Sequence, residues 1–293
     1  MTNPTRPTNI RSLATDGALN AVSSRRLSRW IGKLADAKLP QAVVQQAIQW
    51  YIQAYGVNVS EMAEPPESYA SFDAFFTRIL KPGVHNIDST PNALISPADS
   101  RVLNAGRISD GNLDQIKGRA YRLEELLDSS TEAQRFVNGS YITLYLSPKD
   151  YHRVHSPASG RITHYRYVPG RLYPVNHLGV NNVDRLFAVN ERLITYLNTD
   201  VGAVAVVMVG ASNVGKITVS YDDIVTNESN AQTAYSTVFK RSIPIERGDE
   251  LGMFHLGSTV VLVTENPDLN MVDLELDQAV RMGNLLFQTT EKA

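Results

Sequence analysis

The longest apolar run, VGAVAVVMVGA at residues 201–211, limits what this chain can become. A helix needs about 20 apolar residues to cross a bilayer, so this run is too short to span one. Its valine-rich texture suits a buried strand. Four further segments share the character: SYITLYLSP, RITHYRYVPG, GKITVSY and STVVLVTE are short, rich in Val, Ile, Thr and Tyr, and bounded by Gly, Pro, Asn or Asp. With YRLEELLD as the helix that interrupts them, the pattern predicts an α+β fold with a mainly antiparallel β core and N-terminal helices.

The chain before this β-rich part reads differently. Residues 1–20 are polar, rich in Thr, Asn and Pro, and are expected to form a mobile tail. Residues 21–85 are expected to be helical and 86–293 to form a β-rich domain. SSRRLSRWIGKLADAKLP places Leu27, Trp30, Ile31 and Leu34 at helical spacing beside Arg25, Arg26, Arg29 and Lys33. Such a stripe can lie on an anionic membrane or dock on the protein's own core. PQAVVQQAIQWYIQAYG predicts a second helix. SYASFDAFFTRILKPG predicts a third, with Ser71 as N-cap and Lys81-Pro82-Gly83 as its stop.

Composition narrows the function. A net charge of −2 gives no general attraction to nucleic acid, and none is expected as a partner. The absence of cysteine rules out a disulfide framework, a thiolate zinc site and a cysteine nucleophile, and fits a reducing compartment. The start, MTNPTRPTNIRS, lacks the apolar stretch of a secretory signal. No metal is expected, because His-x-x-His lacks a local third ligand.

Three places carry reactive side chains: Asp99 in ISPADSRV, His152 and His155 in LSPKDYHRVHSPASG, and Ser258 in LGST. An acid, an imidazole and a hydroxyl can form a nucleophilic relay in which the imidazole takes the hydroxyl proton and the acid fixes its tautomer. Each is also a common turn or strand residue. The two Ser-Pro dipeptides around the histidines prevent a simple central strand, and in a turn His152 and His155 would share one side. FHLGSTVVLV reads as a buried strand interrupted by Gly257 and Ser258. Glycine there frees the backbone, so the hydroxyl can attack the carbonyl that precedes it.

In these blocks the sequence resembles the phosphatidylserine decarboxylases, a pyruvoyl-dependent family. The resemblance also runs through FDAFFTRILKPG, QIKGRAYRLEELL, YVPGRLYPVN, NERLI and VGASNVGKI, over roughly Ser71 to Val263. It implies that Ser258 attacks the Gly257 carbonyl, turning the peptide into an ester, and that elimination and hydrolysis leave a pyruvoyl group. The precursor would be cut at 257/258 into a β chain, 1–257, and an α chain, 258–293, that remain partners. The pyruvoyl group, the covalent cofactor made from Ser258, would form a Schiff base with phosphatidylserine and yield phosphatidylethanolamine and CO₂. The resemblance assigns His155 as the base toward Ser258, Asp99 as the acid that orients it, and His152 to the decarboxylation step, as proton donor. Thr259 can position the reacting carbonyl or be an ordinary strand threonine. His255 receives no role.

A lipid substrate favours the membrane reading of Leu27, Trp30, Ile31 and Leu34, with the enzyme peripheral on the cytoplasmic face of the cell membrane. A homodimer is a further expectation. The rival readings are a pyruvoyl decarboxylase of a soluble amino acid, a Ser-His-Asp hydrolase, and a non-catalytic membrane-binding β module.

Overall fold

The valine-rich run forms the middle of an eight-stranded sheet. The computed structural model describes residue 35 and residues 39–115, 120–212, 216–227, 233–255 and 257–289. The main sheet contains β1 (Ser100–Arg107), β2 (Ser140–Leu146), β3 (Gly160–Val168), β4 (Arg192–Thr199), β5 (Gly202–Gly210), β6 (Tyr235–Ile245), β7 (Ser258–Thr264) and β8 (Ala279–Val280). Its spatial order is β6-β3-β4-β5-β7-β2-β1-β8, and every neighbour pair is antiparallel. The α+β expectation, with its antiparallel β core, is met.

Both faces of this sheet are covered, which explains why the central strands do not alternate with polar residues. On β5, Val204, Val206 and Met208 enter one apolar cluster, while Ala205, Val207 and Val209 enter another. Strand β7 divides the same way: Val260 and Leu262 face the first cluster, Val261 and Val263 the second. The first face is closed by a small antiparallel sheet of Ile217–Val219, Glu250–Phe254 and Arg153–His155, which contributes Ile217, Phe254, Leu251 and Val154. The second is closed partly by helices Leu123–Leu127 and Ser130–Phe136, through Leu126, Leu127 and Phe136. The second of these helices was not expected from sequence, although Ser129 caps it by accepting from the Glu132 amide.

Helix α1 (Gln41–Tyr55) is the expected second helix, and Gly56 closes it at φ +70°, where a side chain would be strained. Its inner residues Val44, Ile48 and Tyr51 pack with Phe75 and Phe76 in a separate cluster. The expected third helix is much shorter: α2 covers only Phe72–Phe76. Ser71 caps it as expected, accepting from the Ala74 amide at 3.1 Å. After one turn other partners outcompete helical bonding. Leu80 forms a β-bridge with Met62, and the buried Arg78 guanidinium bonds the carbonyls of Lys149 and Asp150, at 2.9 and 3.1 Å. The expected amphipathic helix with Leu27, Trp30, Ile31 and Leu34 lies outside the described residues.

Candidate active site

Ser258 is the first residue of β7, paired with Leu146 on one side and Gly210 on the other. Two-residue periodicity puts its side chain on the face of Val260 and Leu262, toward the small sheet that carries the histidine segment. Thr259 points to the opposite face. Ser258 is fully buried, and its Oγ has no hydrogen-bond partner among the described residues. A buried hydroxyl without a partner is costly and calls for an explanation. Thr259 Oγ1 is in the same condition.

The histidine segment begins where β2 ends. Ser147 follows Leu146, the residue opposite Ser258, and its carbonyl accepts from His152 Nε2 at 3.1 Å. A carbonyl only accepts, so the proton of this imidazole sits on Nε2 and the lone pair on Nδ1. Nδ1 is buried without a partner among the described residues. The ring stacks on Phe76, with centroids 4.2 Å apart. Complete burial, aided by the nearby Arg78 cation, pushes His152 down to about 3. His152 is therefore neutral near pH 7, with an open lone pair.

The N-terminal segment holds this turn at several points. Tyr51 donates to the Pro148 carbonyl at 2.7 Å, Arg78 bonds the next two carbonyls, and Arg153 Nε donates to Thr77 O at 2.9 Å. Asp150 accepts from the Ser147 amide at 2.7 Å and closes the turn, while burial raises its pKa.

His155 ends the short strand Arg153–His155. Its Nδ1 donates to the Gly248 carbonyl at 2.7 Å, which places the lone pair on Nε2, where the Tyr151 hydroxyl donates at 3.1 Å. Burial lowers its pKa, against the opposing hydrogen bond to Gly248. His152 and His155 are thus both buried, but their rings have separate partners. Asp99 accepts from His85 Nε2 at 2.8 Å and from the Met282 amide at 2.9 Å, both on Oδ1. No direct hydrogen bond joins Asp99 to His155 among the described residues; between them stand His85 and Tyr151, whose rings lie 5.3 Å apart. A cavity of about 230 Å³ reaches Asp99, Tyr151, Arg78 and Asp150.

Sequence reasoning did not single out His85 or Tyr151, and it gave His255 no role. His255, three residues before Ser258, lies 2.8 Å from an Asp73 carboxylate oxygen through Nδ1 and 3.0 Å from Thr218 Oγ1 through Nε2. It pins the chain just upstream of Gly257, as β7 pairing pins it downstream. The only advance signal was a titratable residue close to a Gly-Ser step, and its acidic partner lies 182 positions away in sequence.

The sequence profile described as phosphatidylserine decarboxylase matches residues 72–288. The phosphatidylserine decarboxylase proenzyme of Brevibacillus brevis is 40% identical over 280 residues, which cover 94% of this chain and 98% of that protein. The proenzyme of the same name from Marinobacter nauticus is 44% identical over 239 residues, 81% of this chain and 84% of its own. That of Myxococcus xanthus is 41% identical over 258 residues, 88% and 91%.

Proposed function

The chain belongs to the phosphatidylserine decarboxylase family, and from that premise we propose how its residues generate the activity. It is an enzyme that converts phosphatidylserine to phosphatidylethanolamine and CO₂, made as a proenzyme. The observation that carries the site assignment is the orphaned, fully buried Ser258 hydroxyl directly after a glycine.

Self-processing consumes that hydroxyl. His155 takes the Ser258 proton, Oγ bonds to the Gly257 carbonyl carbon, and the C–N bond breaks as its nitrogen gains a proton. The product is an ester. Loss of the Ser258 α-proton expels the Gly257 carboxylate and leaves a double bond at residue 258, and one water then replaces its nitrogen, released as ammonia. A pyruvoyl group remains at the head of 258–293. Its ketone supplies an electron sink for decarboxylation, the chemistry that no encoded side chain provides. Asp99 supports the base electrostatically, and His152, next to the strand end, serves the decarboxylation step.

One observation favours a second assignment of the base. His152, not His155, has the unoccupied lone pair, and its anchor Ser147 adjoins the residue opposite Ser258. In that reading His152 accepts the serine proton.

Intact-mass measurement of the purified protein tests the processing, with Ser258→Ala as control. Two fragments split at 257/258, together about 1 Da heavier than the uncut chain because water is gained and ammonia lost, support it. A single full-length chain that turns over lipid overturns it.

The lipid substrate also explains α1. This helix contains no charged residue, and Val43, Ala47, Trp50 and Ala54 fall within an arc of about 60° on its exposed side, flanked by Leu39. No helix among the described residues is long and apolar enough to cross a membrane. We place this stripe in the membrane interface, so that the enzyme sits peripherally on its substrate's bilayer.

A further inference from the structure

We propose that Tyr151 is the positioning residue that controls when His155 can act as a base. The proposal rests on the self-processing assignment above and goes beyond it. Both nitrogens of His155 are occupied: Nδ1 by the Gly248 carbonyl and Nε2 by the Tyr151 hydroxyl. Gly248 can only accept, so Nε2 carries the lone pair on which any base chemistry depends, and the Tyr151 phenol is the group that holds it. Burial keeps that phenol un-ionised and therefore a donor.

Its setting suits the role. Tyr151 stacks near His155, with centroids 5.6 Å apart and planes 26° apart, and on its other side meets His85, the residue bound to Asp99. The acid therefore connects to the base through His85 and Tyr151. The cavity beside Asp99 also reaches Tyr151, so a hydroxyl that swings off Nε2 has a place to go. In the resting chain the phenol donates to Nε2; when it turns away, that lone pair is open to the Ser258 proton. The other titratable or charged groups facing His155 are Glu250 on the neighbouring strand, Arg153 on its own strand, and His85. Arg153 and Glu250 are paired at 2.7 Å and offset each other.

A hydrogen bond to Nε2 stabilises neutral over charged imidazole, so its removal must raise the affinity of His155 for a proton. The test uses the uncut Ser258→Ala chain, with His155 followed by ¹⁵N NMR against pH, and compares it with the Ser258→Ala, Tyr151→Phe chain. The expected result is an upward move of the His155 midpoint by about half to one pH unit. In the processing-competent chain, Tyr151→Phe is expected to move the acid limb of the self-cleavage rate upward by the same amount. An unmoved His155 midpoint overturns the proposal. Because the NMR reading does not depend on cleavage, a moved midpoint with an unmoved cleavage profile would instead reject His155 as the base. Should Tyr151→Phe fail to fold, the Ser258→Ala chain alone decides: a proton on Nδ1 supports the assignment, and a proton on Nε2 overturns it.

Discussion

Lowering the pH from 7 to 5 should cost the folded protein about 2 kcal/mol through His152 alone. In the native state this imidazole is buried, stacked on Phe76 and near Arg78, and it binds a proton only near pH 3, against 6.5 for a free histidine. Between these values the unfolded chain holds the proton and the folded chain does not. Stability therefore rises with pH across that window and is lost as pH falls below 6.5. At about 1.36 kcal/mol per unit, with the curve flattening near 6.5, the interval from pH 7 to 5 gives the stated figure. Urea unfolding of the Ser258→Ala chain at both pH values measures it, with Ser258→Ala, His152→Asn as reference. His155 adds a slope of the same sign, so the difference between the two chains is the decisive quantity. Equal pH dependence in both would refute the idea that His152 is held neutral by its surroundings.

Other outcomes follow from the same structure. His155→Ala and Asp99→Ala should accumulate uncut precursor on denaturing gels, whereas His152→Ala should be cut yet release CO₂ poorly; precursor build-up in His152→Ala would transfer the base role to His152. Trp50→Ser with Val43→Ser, both exposed, should leave the melting temperature unchanged while weakening sedimentation with phosphatidylserine vesicles by about tenfold or more. Arg192→Met should destabilise by at least about 3 kcal/mol in urea titration. This buried guanidinium bonds the carbonyls of Glu125, Leu126, Ala188 and Asn190, all of which would lose that donor.

The strands could be read from sequence because each is a short Val, Ile, Thr and Tyr run between turn residues. SYITLYL and STVVLVT became β2 and β7 at almost the expected limits. Ser258 could be picked out for the same reason: a glycine and a hydroxyl break an apolar run. The third helix was overestimated because its apolar spacing continues past Phe76, whereas the contest between helix and the carbonyls that Arg78 seeks is decided by the distant turn at 147–150. The partner of Asp99 was hidden in the same way. Relay chemistry suggests a carboxylate beside the base, yet His85 sits in an ordinary-looking VHNID segment and reaches Asp99 only once the loops are folded. Local chemistry is written along the chain; pairings across 14 to 182 positions are not.

Strand β7 is held along all seven residues by a ladder on each side, and it begins at Ser258. If the backbone is cut just ahead of it, the smaller piece keeps a central slat of the sheet, so the two pieces stay together with no covalent bond between them. The folded state then depends on history. A continuous polypeptide can find this arrangement, but the severed pair would have to recover a middle strand from solution at the entropic cost of bringing two molecules together. Mature enzyme taken apart by denaturant and diluted should therefore fail to reassemble under conditions where the uncut Ser258→Ala chain refolds.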